Sequence, residues 1–332
     1  MSRRSVVTGG QGFIGGHLVR SLLERGDDVV VLDLPGAPGR ALELHGLRGQ
    51  VELLEGDIAD PAVAGRAVAG ADSVFHLAAQ TLVGPAAKDP VGTFRANVEG
   101  TWVVLEAARA AGAGAVVVAS SDKAYGPSRE LPYREGQELT PAAPYEGSKA
   151  AADVISRSYW KAFGLPVGVT RLANVYGGGD LNFSRLIPET VTAYLAGRRP
   201  VIRSDGSPLR DFMHVTDAVA AYLAIEGSIL TGAGRGQALN AGTGDAKAVS
   251  EVIDLIRDAV GSPVEPEFTG AGNPQGEIDS QYVDASKLTA LTGWTPATAL
   301  KDGIAEAVEW YRDRPEIVQG RAEHIAATGT GG

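Results

Sequence analysis

Between Arg4 and Asp33 the chain reads as strand, glycine loop, helix, strand, an order that few folds accept. Arg4 to Thr8 is a short β-branched run, and Gly9, Gly10, Gly12 and Gly15 follow it. Phe13, Leu18, Leu22 and Leu23 then recur at roughly helical spacing, and the apolar run Val29 to Leu32 ends at Asp33. Gly10-x-Gly12-x-x-Gly15 fits a dinucleotide fingerprint, whose glycines allow a tight turn, backbone approach to a pyrophosphate and close helix packing. The helix N-terminus then faces the phosphates. Asp33, 18 residues after Gly15, is placed to accept hydrogen bonds from an adenosine ribose, which favours NAD over NADP, while Arg40 nearby keeps a smaller NADP alternative open. Gly9, Gly12, Phe13, Ile14, Gly15 and Asp33 are the expected cofactor contacts here.

The alternation continues. Val51 to Glu55 reads as a third strand, followed by Asp57 and Ile58; Asp57 fits an adenine contact or a helix cap equally well. Ser73 to Leu77 is a fourth strand, ending in Ala78-Ala79-Gln80, where small residues would let backbone approach a cofactor. His76 within it is read as structural, not as a base or metal ligand, and no metal is expected. Pro90 to Ala111 reads as one helix, with Phe94, Val98, Trp102 and Leu105 on a core-packing stripe and an outer face that could meet a partner subunit. Ala115 to Ala119 and Val167 to Leu172 are further strands, with a helix over Ala143 to Phe163 between them. This rhythm predicts an α/β fold, a doubly wound parallel (Rossmann) sheet with ligands at the carboxyl ends of its strands. Gly15, Asp33, Ala78, Ser121 and Asn174 all fall at or just beyond such ends.

After Leu172 the rhythm breaks. Asn174 to Asp180 is a glycine-rich exit loop, and helices are expected over Arg185–Gly197, Val215–Ile225, Val249–Val260, Ser286–Thr292 and Leu300–Tyr311, with a strand at Ala238–Asn240 returning to the main sheet. The second, smaller mixed α/β lobe is therefore interleaved: residues 1–175 and 211–242 for the cofactor, 176–210 and 243–320 for the substrate, and 321–332 as a tail, disordered from 326. Arg185, Arg203 and Arg210 in this region could receive a diphosphate, since arginine forks onto phosphate oxygens; scattered surface arginines are the alternative.

The chain has 332 residues and a formal net charge of -10, which disfavours nucleic acid or an anionic membrane as a partner. It has no cysteine, so disulfides, zinc-thiolate sites and thiol catalysis are excluded. No apolar run approaches the roughly 20 residues of a membrane helix, and Met1 to Ser5 lead into a strand with no signal-peptide pattern, so a cytoplasmic location is expected.

The chemistry is expected between Ser120 and Lys149. Tyr145 and Lys149 are four apart, which on a helix puts both on one face. An ammonium beside a phenol favours the phenolate and makes a usable base. The same spacing also fits a half-buried tyrosine beside a solvated lysine. Ser121, at the end of the preceding strand, could hold a substrate alcohol against the phenol.

Taken together, Thr8-Gly9-Gly10-Gln11-Gly12-Phe13-Ile14-Gly15, Tyr145-x-x-x-Lys149, Asn174-Val175-Tyr176-Gly177 and Arg210-Asp211-Phe212 resemble the extended short-chain dehydrogenase/reductase family, nucleotide-sugar branch. Ser121-Asp122-Lys123, Ala78-Ala79-Gln80 and Gly177-Gly178-Gly179-Asp180 are similar to CDP-glucose 4,6-dehydratases. The resemblance implies tightly bound, recycled NAD, a nucleotide-diphosphate hexose as substrate and a homodimer. It implies Ser121, Asp122, Lys123, Tyr145 and Lys149 as catalytic residues. Cofactor contacts would also come from Asp57, Ile58, Ala78, Ala79, Gln80, Tyr145 and Lys149, and substrate contacts from Gln80, Asn174, Arg185, Arg203 and Arg210. Where the chain has Lys123, related dehydratases carry a glutamate that removes the C5 proton; a lysine does so only as the neutral amine, and as an ammonium it would instead be an electrostatic aid to an enolate. A 4-epimerase, needing Ser121, Tyr145 and Lys149 but no acid at Asp122, is the rival reading. A non-catalytic nucleotide sensor is the second.

Overall fold

The computed structural model describes residues 2–37, 40–128, 130–270 and 278–328. Its strands are β1 (Arg4–Thr8), β2 (Asp28–Asp33), β3 (Glu52–Glu55), β4 (Ser73–His76), β5 (Ala115–Ser121) and β6 (Val167–Leu172) in the first half. Then come β7 (Asn174–Tyr176), β8 (Val201–Ile202), β9 (Leu209–Arg210), β10 (Phe212–His214), β11 (Ala238–Ala241), β12 (Lys247–Ala248), β13 (Glu267–Phe268) and β14 (Ser280–Gln281). Seven of them form one sheet in the order β11-β6-β5-β4-β1-β2-β3, every pairing parallel. The expected doubly wound sheet is therefore present, with β11 returning to its edge.

Alternation along the strands sorts the core into two layers. Val7, Val31, Val117 and Leu239 face the helices Phe13–Glu24 and Val215–Thr231, where Leu18, Leu22, Tyr222 and Ile225 meet them. Val6, Val30, Val74, Val116 and Val118 face the opposite way, against Val104, Leu105 and Ala108 of the helix Gly100–Ala111. A strand buried on both faces reads as a run of apolar residues, which is why valine recurs at the centres of β1, β2 and β5. A third cluster of Tyr176, Ile187, Val191, Val252, Ile256, Ile304 and Val308 builds a separate core between the helices Leu186–Leu195, Val249–Val260 and Leu300–Arg312.

Two sequence expectations need correction. Pro90–Ala111 is not one regular helix. It runs as Pro90–Phe94, a π turn over Arg95–Glu99, then Gly100–Ala111. The inserted turn rotates the stripe: Leu105 stays buried, but Phe94 and Trp102 are 42% and 43% exposed, and Asn97 and Thr101 point inward instead. The tail from residue 321 is also wrong as far as 328, because the helix Pro315–Thr328 includes it. Its anchor is a charge: buried Arg321 donates to Glu189 Oε2 at 2.8 Å and lies over the Phe183 ring. Residues 329–332 lie outside the described residues. Among the described residues, no helix is long and apolar enough to cross a membrane.

The helix Pro144–Phe163 is locked in place by a buried ion pair. Arg171 of β6 is 1% exposed; its Nε donates to Asp153 Oδ2 at 2.8 Å and its Nη2 to Asp153 Oδ1 at 3.2 Å. Its Nη1 donates to the Tyr125 hydroxyl at 2.8 Å, which in turn donates to Asn240 on β11 at 2.7 Å. One side chain thus joins the helix, the turn after β5 and two strands.

Candidate active site

The loop after β1 turns under two glycines whose missing side chains are required. Gly9 has φ +76, and a Cβ there would stand 2.7 Å from Ala78 N; a Cβ at Gly15 would stand 2.1 Å from the Gly9 carbonyl oxygen. The loop therefore lies against the β4 exit, with the Ala78 N–H donating to Thr8 Oγ1 at 3.2 Å. Asp33 Oδ2 accepts from the Gln11 N–H at 2.9 Å and Oδ1 from the Leu34 N–H at 2.9 Å, while burial pushes its carboxyl above the ordinary aspartate value. Gln11 is buried, yet its Nε2 has no partner among the described residues. A buried orphan donor beside a side-chain-free turn and a carboxylate at the next strand end fits a dinucleotide with a free ribose diol. A 2′-phosphate would meet the Asp33 charge, and Arg40, whose Nε donates to Glu43 at 3.0 Å, is already paired.

Asp57 Oδ1 accepts from the Ala59 N–H at 2.9 Å, and the Arg95 guanidinium lies 3.6 Å from Oδ2. The cap of the helix Pro61–Ala67 is Asp60, which accepts from the Ala62 and Val63 N–H groups, so Asp57 is not that cap. Ile58 is buried against Gly100. Gln80, after Ala79, is pinned by Asn97: the Gln80 N–H donates to Asn97 Oδ1 at 2.7 Å, and Asn97 Nδ2 donates to the Gln80 carbonyl at 2.9 Å and Ser148 Oγ at 2.8 Å. Sequence reading passed over Asn97; the one signal for it is a lone amide inside an apolar helical run.

Ser121 caps a one-turn 3₁₀ helix, Asp122–Tyr125, its Oγ accepting from the Lys123 N–H at 3.2 Å. The same hydroxyl donates to Asp122 Oδ1 at 3.0 Å and meets the Tyr145 phenol, so Tyr145, Ser121 and Asp122 form one chain of contacts. Asp122 is 2% exposed, and its Oδ2 has no partner among the described residues. Burial is the main cause that raises its pKa to about 6; Lys123 opposes the shift and Asp211 adds to it. Lys123 Nζ donates to Gln281 Oε1 at 3.2 Å.

The Tyr145–Lys149 pair departs from expectation. Burial raises Tyr145 to about 12, and the cation that most opposes this is Arg185, not Lys149. Lys149 is itself lowered to about 8 by burial, and its Nζ donates to the Ala119 carbonyl at 2.9 Å, directed at the strand end rather than the phenol. His76 is fully buried between Thr8 Oγ1 at 2.8 Å and Thr101 Oγ1 at 3.1 Å, and burial lowers it to about 3, which fits the structural reading.

The three arginines separate. Arg185 Nη1 donates to buried Asp180 at 2.9 Å and its charge reaches Tyr145. Arg210 Nη1 donates to the Leu209 and Asp279 carbonyls at 2.9 and 3.0 Å, and its charge reaches Asp122. Arg203 is exposed just after β8, and nothing among the described residues ties it to Tyr145 or Asp122. Asn174 Nδ2 donates to the Asp211 carbonyl at 3.3 Å.

Residues 5–242 match the NAD dependent epimerase/dehydratase family. A UDP-glucose 4-epimerase of Mycolicibacterium smegmatis is 37% identical over 324 residues, covering 94% of this chain and 100% of the relative. A dTDP-glucose 4,6-dehydratase of Streptomyces griseus is 35% identical over 321 residues, covering 94% of each. The crystal structure of a Streptomyces venezuelae dTDP-glucose 4,6-dehydratase with NAD bound superposes with a TM-score of 0.85 at 30% identity, covering 94% of this chain and 98% of that one.

Asp122 should leave a signature in stability. Its folded pKa of about 6 exceeds the ordinary aspartate value of 3.8, so the native state keeps a proton that the unfolded chain has lost between those values. Stability then falls as pH rises through that window and levels off above it. Asp122→Asn removes the penalty. Denaturant unfolding should show the variant about 2–3 kcal/mol more stable than wild type at pH 8, with the difference vanishing near pH 4. A difference independent of pH would contradict the raised value.

Proposed function

The chain belongs to the NAD dependent epimerase/dehydratase family, and on that premise we propose that it is a nucleotide-sugar 4,6-dehydratase acting on a nucleoside-diphosphate glucose. The observation that carries this reading is Asp122. A carboxyl that is buried, raised to about 6 and left with one oxygen unpartnered is a proton donor near neutral pH. An epimerase has no use for such an acid, whereas elimination of a hydroxyl does.

Gly9, Gly12, Phe13, Ile14, Gly15, Asp33, Ala78, Ala79 and Lys149 would hold NAD, which would supply a hydride acceptor for C4 and a donor for C6. Tyr145 takes the proton of the sugar 4-hydroxyl while Ser121 holds the 4-oxygen. Lys149 and Arg185 are the cations available to the phenolate as it forms. The resulting 4-ketone acidifies C5. Lys123 takes the C5 proton, the C6–O bond breaks, and Asp122 delivers its proton so that the hydroxyl leaves as water; as hydride reaches C6, the proton held at Lys123 returns to C5. Arg185 and Arg210 are proposed for the diphosphate, and Gln80 and Asn174 for the sugar. The Ser121-Asp122-Lys123 and Gly177–Asp180 resemblance favours cytidine as the base, while the curated dehydratase relatives favour thymidine.

The epimerase reading is supported by the 37% identical M. smegmatis relative. Mass spectrometry separates the two. Incubation with CDP- or dTDP-glucose should yield a product lighter by one water, and Asp122→Asn should slow water loss about 100-fold or more while sparing oxidation at C4. A product of unchanged mass across CDP-, dTDP-, UDP- and GDP-hexoses would hand the case to the epimerase.

A homodimer is proposed through the face that carries Val91, Phe94, Trp102, Val154 and Phe163, all large apolar side chains left in solvent on neighbouring helices. Sedimentation should give a dimer for the wild type and a monomer for Trp102→Glu. A monomeric wild type would contradict the assignment.

A further inference from the structure

Gln281 lies on β14, which runs parallel to β9 with Gln281 opposite Arg210. The side chain is fully buried, an unusual place for an amide, and none of the family motifs includes it. Its Oε1 accepts from Lys123 Nζ at 3.2 Å. The orientation of that amide is chemically settled, because an amine that donates needs the oxygen, and the reverse would set two donors against each other. The other half, Nε2, is then left as a buried donor with no acceptor among the described residues. Beside Lys123 stands Asp122, whose Oδ2 is likewise buried and unpartnered. Two unsatisfied groups of opposite polarity thus flank one amine, in a protein where buried polar atoms are otherwise nearly all paired.

We propose that Gln281 is a positioning residue that aims the Lys123 amine at the hexose and donates its own free N–H to a sugar oxygen. The inference rests on the dehydratase reading and adds to it a residue from the far end of the chain. A lysine side chain has four rotatable bonds, so its nitrogen serves one sugar atom only where something fixes it. An acceptor at one tetrahedral position of that nitrogen leaves the other positions directed elsewhere. Gln281 is able to supply this because its strand is held by main-chain bonds, including the Asp211 N–H to the Gln281 carbonyl at 3.2 Å, which a change of side chain leaves intact.

The test compares two steps in the same protein. With the nucleoside-diphosphate glucose that wild type dehydrates, oxidation at C4 is followed by the absorbance of reduced cofactor. Abstraction at C5 is followed by deuterium entering that carbon from heavy water. Gln281→Met keeps the bulk and removes the amide; deuterium entry and water loss should fall about 10- to 100-fold while C4 oxidation stays within about threefold. Gln281→Glu keeps an acceptor but pairs Lys123 as an ammonium, so dehydration should recover only at higher pH than in wild type. If Gln281→Met does not fold, the pH shift of Gln281→Glu decides alone. The proposal is overturned by variants that exchange and dehydrate like wild type with an unmoved pH profile. It is equally overturned if both steps fall together, which is what a merely structural glutamine would give. A wild type that releases no water from any hexose removes the dehydratase reading itself, and the Gln281 assignment with it.

Discussion

Arg171 reaches from β6 into the buried interior, and the site is assembled around where its guanidinium ends. One fork grips Asp153, a little over two turns beyond Tyr145 on the helix Pro144–Phe163. The remaining nitrogen holds the Tyr125 hydroxyl, at the end of the turn that begins with Asp122. Tyr125 also stacks on Tyr133 at 4.7 Å between ring centroids, and the Arg171 guanidinium carbon lies 4.8 Å from the Tyr125 centroid. Removing one partner of such a buried pair typically costs about 3–5 kcal/mol. More to the point, it would free the helix of Tyr145 and Lys149 from the turn of Asp122 and Lys123. The proposed chemistry needs those groups on two sides of one sugar, so their relative placement matters more than any single side chain.

Burial then decides how each group titrates. It lifts Asp122 to about 6 and Tyr145 to about 12, and lowers Lys149 to about 8. Asp122 and Lys149, which would be charged in water, are brought closer to their proton-transfer thresholds, while Tyr145 is held more firmly as the neutral phenol by the same cause. Asp211 is part of the same pattern: it is buried, receives the Thr243 and Gly244 N–H groups, and its negative charge pushes Asp122 further toward its acid form. Burial raises the Asp211 carboxyl as well, opposed by the hydrogen bonds from Thr243 and Gly244.

Much of this was legible in the sequence. The valine-rich strands, glycine loop and strand-end acid require no long-range information, and the ends of Val249–Val260 and Ser286–Thr292 were readable from local pattern alone. What escaped were properties that exist only after the chain has folded. The π turn at Arg95–Glu99 turned Asn97 toward Gln80, and nothing in a periodic stripe announces an extra residue per turn. The Lys149 amine bonds a carbonyl 30 residues away, so spacing on the helix suggested a contact with Tyr145 that packing replaced. Gln281 meets Lys123 across 158 residues, and only the pairing of β14 with β9 brings it there. The helix running to residue 328 was hidden because its anchor, Arg321, reads in sequence as a surface charge.

The account stands on one claim: hydrogen removed from C4 of the sugar is put back at C6 after Asp122 has expelled the hydroxyl. Deuterium placed at C4 of a nucleoside-diphosphate glucose follows that hydrogen directly. Nuclear magnetic resonance of the product should find the label on the new methyl carbon of a 4-keto-6-deoxy sugar. Label returned to C4 of an intact hexose, with every oxygen retained, would contradict the account and leave an epimerase in its place.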